Sequence, residues 1–154
     1  MRKCFSWIYV LLWMVLIFYL SSQPATMSNK LSTGITEMIV EKVEQIAPDM
    51  EFDIRAFNHI VRKNAHFFIY LVLGVLVANA LKRSGVQGYR RIGLALLICV
   101  LYAISDETHQ LFVPGRGAQV KDVFIDSSGA SVGIGVHVLF AGIKKEIVPA
   151  RRLA

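Results

Sequence analysis

Charge is scarce in this sequence and cysteine is nearly missing. Asp, Glu, Lys and Arg make up 18% of the 154 residues, against 55% hydrophobic. A soluble domain carries about 25% charged and about 45–50% apolar residues, so the composition excludes an ordinary water-soluble globule and points to a membrane protein. The two cysteines, Cys4 and Cys99, stand at the start of one apolar run and inside another. That placement excludes a disulfide framework or a CxxC metal pair, and both read as small buried hydrophobes. No HExxH motif or closely spaced histidine pair is present, so the usual zinc signature is absent. The net charge of +6 invites a nucleic-acid reading, but the basic residues form no stripe interleaved with aromatics. They sit in short gaps between apolar runs, and nucleic acid is not an expected partner.

What is present is a series of long apolar runs. A bilayer core of about 30 Å needs about 17–25 helical residues, and four runs qualify: 5–22, 64–81, 92–109 and 122–143. Arg2 and Lys3 before the first resemble the start of a signal peptide. Its core is long for that purpose and SSQPATMS lacks a small-x-small cleavage site, so an uncleaved helix is expected. The fold class is thus all-α, a single membrane domain with a bundle of four transmembrane helices. Arg2 and Lys3, then Lys82, Arg83, Arg90 and Arg91, then Lys144, Lys145, Arg151 and Arg152 fall on one side if the chain crosses four times. The positive-inside rule makes that side, and both termini, cytoplasmic. Arg62, Lys63, Arg116 and Lys121 are exceptions that the rule leaves unexplained.

The segment between the first two runs carries a helical period of its own. Ile35, Met38, Ile39, Val43 and Ile46 recur at helical spacing, with Ser32 or Thr33 as cap and Pro48 as stop. The expectation is an outer amphipathic helix lying on the leaflet or roofing the bundle. The stretch FDIRAFNHIVRKNAH keeps helical period without a breaker, so the second membrane helix should begin before the bilayer.

Polar chemistry gathers at one set of helix ends. Ser21, Ser22 and Gln23 close the first run; Arg62, Lys63, Asn64 and His66 open the second; Ser105, Asp106, Glu107, His109 and Gln110 close the third; Asp122 and Asp126 open the fourth. Residues three or four apart share a helix face. Arg62, His66 and Tyr70 therefore make one stripe, Tyr102, Asp106, His109 and Gln110 a second, and Asp122 and Asp126 a third. Asp126 lies deep enough in its run that facing lipid would be costly, so it should point into the bundle. The spacings Gly129-x-x-x-Gly133 and Ser131-x-x-x-Gly135 offer close approach to a neighbouring helix.

The stretches SSQ (21–23), RKNAHFFIYLVLG (62–74), SDETHQLFVPGRGAQVKDVFID (105–126) and the following SSGASVGIG together resemble the VanZ-like family of small bacterial membrane proteins. The resemblance covers most of the chain and is weakest over residues 24–60. It implies an association with resistance to the glycopeptide teicoplanin and a relation to membrane enzymes that alter lipid head groups. It singles out His66, Asp106, Glu107, His109, Gln110, Arg116, Asp122 and Asp126, with Arg62 and Lys63 beside them.

The residue types suggest roles. His66 suits a general base or nucleophile, because its pKa of about 6.5 is easily tuned. Asp106 and Glu107 either orient it or hold a divalent cation together with Asp122 and Asp126; ion pairing with Arg62, Lys63 and Arg116 accounts for the same acids without metal. Arg116, on the VPGRGAQ turn, is placed to grip a phosphate in two-pronged fashion. Two functions remain in view. One is an enzyme at the outer membrane surface, with His66, Asp106, Glu107, His109 and Asp126 catalytic and Arg62, Lys63, Gln110, Arg116 and Asp122 binding a membrane lipid or lipid-linked cell-wall precursor. The other is a non-catalytic protein that binds or shields such a precursor or a partner enzyme. A transporter is disfavoured, since coupling residues usually lie near the bilayer midplane.

Overall fold

The computed structural model describes residues 2–45 and 54–147. Within them the chain forms five helices in the order α1 (Arg2–Ser21), α2 (Ala25–Glu44), α3 (Ile54–Arg83), α4 (Gly88–Gln110) and α5 (Val120–Ile147). Four of these are long and apolar enough to cross a membrane: Lys3–Ser21, Phe57–Arg83, Gly88–Gln110 and Val120–Ala141. They coincide with the four apolar runs of the sequence. Pro48, expected to stop the amphipathic helix, lies outside the described residues, as do Ile46, Arg151 and Arg152.

The core is thin and made of small side chains. Ala78, Ala80, Ala95, Cys99, Ala103 and Ala130 are fully buried together with Leu73 and Val77, so helix backbones can approach closely. Large apolar residues such as Leu11, Leu12, Val15, Leu97, Leu101 and Phe140 are exposed, the outward display expected of helices solvated by lipid rather than water. Cys99 is buried as its sequence position suggests. Cys4 is exposed, which corrects the expectation for it: α1 packs on its neighbours along the side that carries Val10 and Ile17, and Cys4 lies off that line.

The closest seam joins α3 and α5, which run in the same direction. A Cβ at Gly129 would strike the Phe67 carbonyl, one at Gly133 the Leu71 carbonyl, and one at Gly74 the Ala130 carbonyl. These three glycines let two backbones touch. Of the two small-residue spacings in the sequence, only Gly129 and Gly133 serve this seam. Ser131 is exposed and a Cβ at Gly135 meets nothing within 4 Å, because these residues lie across the helix from the packed face. Helix α1 is tied in by Trp13 Nε1, which donates to the Ile69 carbonyl at 2.9 Å, and by Trp7 Nε1, which donates to Ser84 Oγ at 3.0 Å.

Helix α3 is 30 residues long, about 45 Å at about 1.5 Å per residue. It therefore starts well before the apolar run at 64, as the unbroken period implied. It closes in a Schellman turn: Val86 N–H donates to the Leu81 carbonyl at 3.0 Å and Gly85, at φ 94°, donates to Lys82 at 3.1 Å.

Helix α2 departs from expectation at its start. It begins at Ala25 rather than at a Ser32 or Thr33 cap, with the Pro24 carbonyl accepting from Met27 and Ser28. Ser32 instead bonds back to the carbonyls of Ser28 and Asn29 inside the helix. Its inward face is Ser32, Thr36 and Val40, all buried, whereas Met38 and Ile39 are exposed. The helix packs on α3 with a largely polar stripe and turns apolar residues outward.

Candidate functional site

The sequence-predicted polar residues converge where α1, α3 and α4 and the start of α5 meet. Asp106 is buried and its Oδ2 accepts from Ser21 Oγ at 2.8 Å, linking α4 to the end of α1. Gln110 Nε2, one turn on, lies 3.4 Å from Asp106 Oδ2 and 3.3 Å from Glu107 Oε1. Glu107 Oε2 accepts the backbone N–H of Gln119 at 2.8 Å, which fastens the loop after α4 to its last turn. Burying a carboxylate is expensive unless donors surround it. These bonds supply part of that compensation, and Asp106 Oδ1 still lacks a partner among the described residues.

Arg116 is held by the backbone. Its N–H donates to the Val113 carbonyl at 3.1 Å across a turn with Pro114 and Gly115 at the corner, Gly115 having φ 75°, the requirement of a type II turn. Ala25 N–H donates to the Pro114 carbonyl at 3.3 Å, so the start of α2 rests on this turn. The guanidinium points inward, with Nη1 3.3 Å from Gln110 Oε1 and Nη2 3.4 Å from the Leu20 carbonyl. Burial, and next the nearby Arg62, push its pKa below the ordinary arginine value, against the pull of Asp106 and Glu107. Arginine stays charged regardless, so an anion between the two guanidiniums would relieve both penalties.

Helices α3 and α5 contribute a matched pair of contacts. Lys63 forms a half-buried ion pair with Asp122. One turn deeper, His66 Nδ1 lies 3.4 Å from Asp126 Oδ1. That is an ion-pair approach without hydrogen-bond geometry, since neither oxygen of Asp126 has a bonding partner among the described residues. Asp126 is fully buried, as its depth in the run implied, and His66 is the polar group facing it.

Two cavities share this rim. A polar one of about 90 Å³ is lined by Arg62, His66, Gln110, Arg116, Gln119 and Asp122, with Gly115 and Gly117. A largely apolar one of about 310 Å³ lies between α1, α2 and α3 and also reaches Arg62, His66 and Arg116. Tyr70, the third member of the α3 stripe, lines the apolar cavity, and its buried hydroxyl has no partner among the described residues.

Residues 5–141 match the model of the VanZ/LLP1 family. The chain belongs to that family. No curated protein matches the chain, and no solved structure does. The match spans all four candidate membrane helices, so the polar cluster at one end of this VanZ/LLP1 bundle lies within the family's shared region.

Nine of the ten singled-out residues meet in this cluster. His109 stands apart: its ring stacks on Phe18 of α1, with centroids 4.3 Å apart, and it lines neither cavity. Of the four basic exceptions to the charge rule, Lys63, Arg62 and Arg116 belong to the site, while Lys121 is exposed. The sequence places Ser21 at the end of the first run but gives it no role, and it does not single out Gln119. A serine at the end of a helix carries no signal that it will reach an acid 85 positions away. No group of three or more His, Cys, Asp and Glu side chains is placed to hold a metal among the described residues. Asp106, Glu107 and Asp122 are spent on Ser21, Gln119 and Lys63, respectively.

Proposed function

We propose that this VanZ/LLP1 protein acts at the outer surface of the bacterial cell membrane on a phosphate-containing lipid or lipid-linked cell-wall precursor, cleaving a phosphoester or exchanging a head group. The observation that carries the reading is the position of His66. It lines the polar cavity with Arg62 and Arg116 while its Nδ1 faces a fully buried carboxylate, Asp126. A carboxylate behind an imidazole stabilises the positive charge that develops on the ring in reaction. Nε2 is then the nitrogen left to take a proton from an attacking hydroxyl or to attack phosphorus. Arg62 and Arg116 neutralise the charge that grows on the phosphoryl oxygens. Asp106, Glu107 and Gln110 hold Arg116 in place, and Lys63 and Asp122 close the rim.

Altered surface lipids or precursors would present fewer targets to a lipid-anchored glycopeptide, which is how such chemistry would lead to teicoplanin resistance. A second reading, binding or shielding without turnover, is favoured by the way Asp106, Glu107 and Asp122 are taken up by protein donors. Mass-spectrometric profiling of lipids and precursors in cells carrying wild-type protein, His66→Ala or Asp126→Asn separates the two. Under the enzymatic reading one species tracks His66 while both variants remain folded and abundant. Unchanged profiles with protection intact in both variants would transfer the case to binding.

A further inference from the structure

We infer that the slot between α1, α2 and α3 is the chain subsite of an amphiphile: one hydrocarbon chain lies in it while an anionic phosphate head rests between Arg62 and Arg116. The head-group half rests on the phosphate reading above; the chain half rests on the shape and lining of the slot.

Three observations combine. First, the apolar and polar cavities are neighbours with a common rim, since Arg62, His66 and Arg116 line both. A water-soluble phosphate would need only the smaller cavity, whereas a ligand filling both must be apolar at one end and anionic at the other. Second, the slot is largely apolar, with Ile17, Leu20, Ile35, Val61, Ala65 and Ile69 outweighing a few polar side chains such as Ser28 and Tyr70, and it offers a hydrocarbon chain continuous contact. Its volume of about 310 Å³ stands at the lower end of the range for ligand pockets, about 300–1,000 Å³. That accommodates one chain segment, not a pair. Third, Leu20, Ile35 and Ala65 on its lip are exposed, so the slot opens sideways between α1 and α2. A lipid can enter from the leaflet without its chain crossing water. The exposed Met38 and Ile39 of α2 extend the apolar border on that side, and the Pro114–Ala25 bond keeps the start of α2 aligned with the Arg116 turn.

The test uses the full chain in phosphatidylcholine nanodiscs and a hexadecyl phosphate probe with a photoreactive diazirine midway along its chain. After irradiation, labelled residues are mapped by mass spectrometry. Saturable labelling of Ile17, Val61 or Ile69 is expected, unaffected by millimolar inorganic phosphate and lost in the Arg62→Gln/Arg116→Gln double variant. Ala65→Phe and Ile35→Trp each place bulk in the slot from exposed positions that need no core rearrangement, and both should reduce slot labelling to the lipid-facing background. Labelling confined to outward residues such as Leu12 and Phe68 would overturn the inference. So would full competition by inorganic phosphate, or undiminished slot labelling in both filling variants. Lipid profiling of cells carrying the wild-type chain or His66→Ala separates this result from the catalytic reading. Slot labelling of the wild-type chain without a His66-dependent lipid change would sink catalysis alone, and a His66-dependent lipid change without slot labelling would sink the chain subsite alone.

Discussion

Replacing Gly129 by alanine tests whether the site depends on the α3–α5 seam. A Cβ there would lie 3.0 Å from the Phe67 carbonyl carbon and closer still to its oxygen, where apolar contact needs about 3.5 Å. The carbonyl oxygen makes the larger demand, so the helices must part by about an ångström, and backbone cannot rotate away as a side chain would. Overpacking of this kind costs about 1–3 kcal/mol. At about 2–4 °C per kcal/mol for a chain of this length, the unfolding midpoint followed by tryptophan fluorescence in detergent should fall by about 2–12 °C. Gly133→Ala should behave alike, since its Cβ meets the Leu71 carbonyl. The parting also lengthens the 3.4 Å His66–Asp126 approach one turn away, so a His66-dependent lipid change should weaken in step. Gly135→Ala is the control: a Cβ there meets nothing, and alanine is the better helix former by about 1 kcal/mol. A loss in Gly135→Ala equal to that in Gly129→Ala, or none in Gly129→Ala, would refute the argument.

Ser21→Ala removes a donor from buried Asp106, whose other oxygen has no partner among the described residues, and should cost about 1–3 kcal/mol in the same melting assay. Arg116→Lys keeps the charge but loses the fork that spans Gln110 and the Leu20 carbonyl; hexadecyl phosphate affinity should drop about tenfold or more, the worth of one charge-assisted hydrogen bond. If His66 and Asp126 act as a unit, a His66→Ala/Asp126→Asn double variant should lose no more activity than His66→Ala alone, read from the tracked lipid species. In a Cys4→Ser background, a cysteine placed at Gly117 should react with an impermeant maleimide in intact cells, and one at Gly85 only after permeabilisation; the reverse pattern would invert the proposed orientation.

Much of the site was legible because polar residues in lipid-length helices are expensive wherever they are not paired. The depth of Asp126 in its run is enough to assign it to the interior, and the i, i+4 spacing of Arg62, His66 and Tyr70 is enough to put them on one face. Helical spacing says which residues share a stripe, but not which stripe meets which. The pairing of Lys63 with Asp122 and the Ser21–Asp106 link depended on helices distant in sequence. Gly74 was read only as part of a motif, since a lone glycine in an apolar run gives no sign that an opposing carbonyl occupies its missing Cβ. His109 shares a helix with Asp106 yet stacks on Phe18, because three residues advance a helix by less than a full turn and the ring swings toward α1.

By itself, the sequence determined the number of membrane helices, the end of the bundle that gathers polar groups and the chemistry available there. It could do so because the cost of placing charge in hydrocarbon acts on each residue separately. Only tertiary structure decided that α3 and α5 touch through glycine, that α2 turns a serine and threonine stripe inward, and that a polar and an apolar cavity share one rim. Those depend on the shapes left between helices after packing, which no single helix carries in its own pattern.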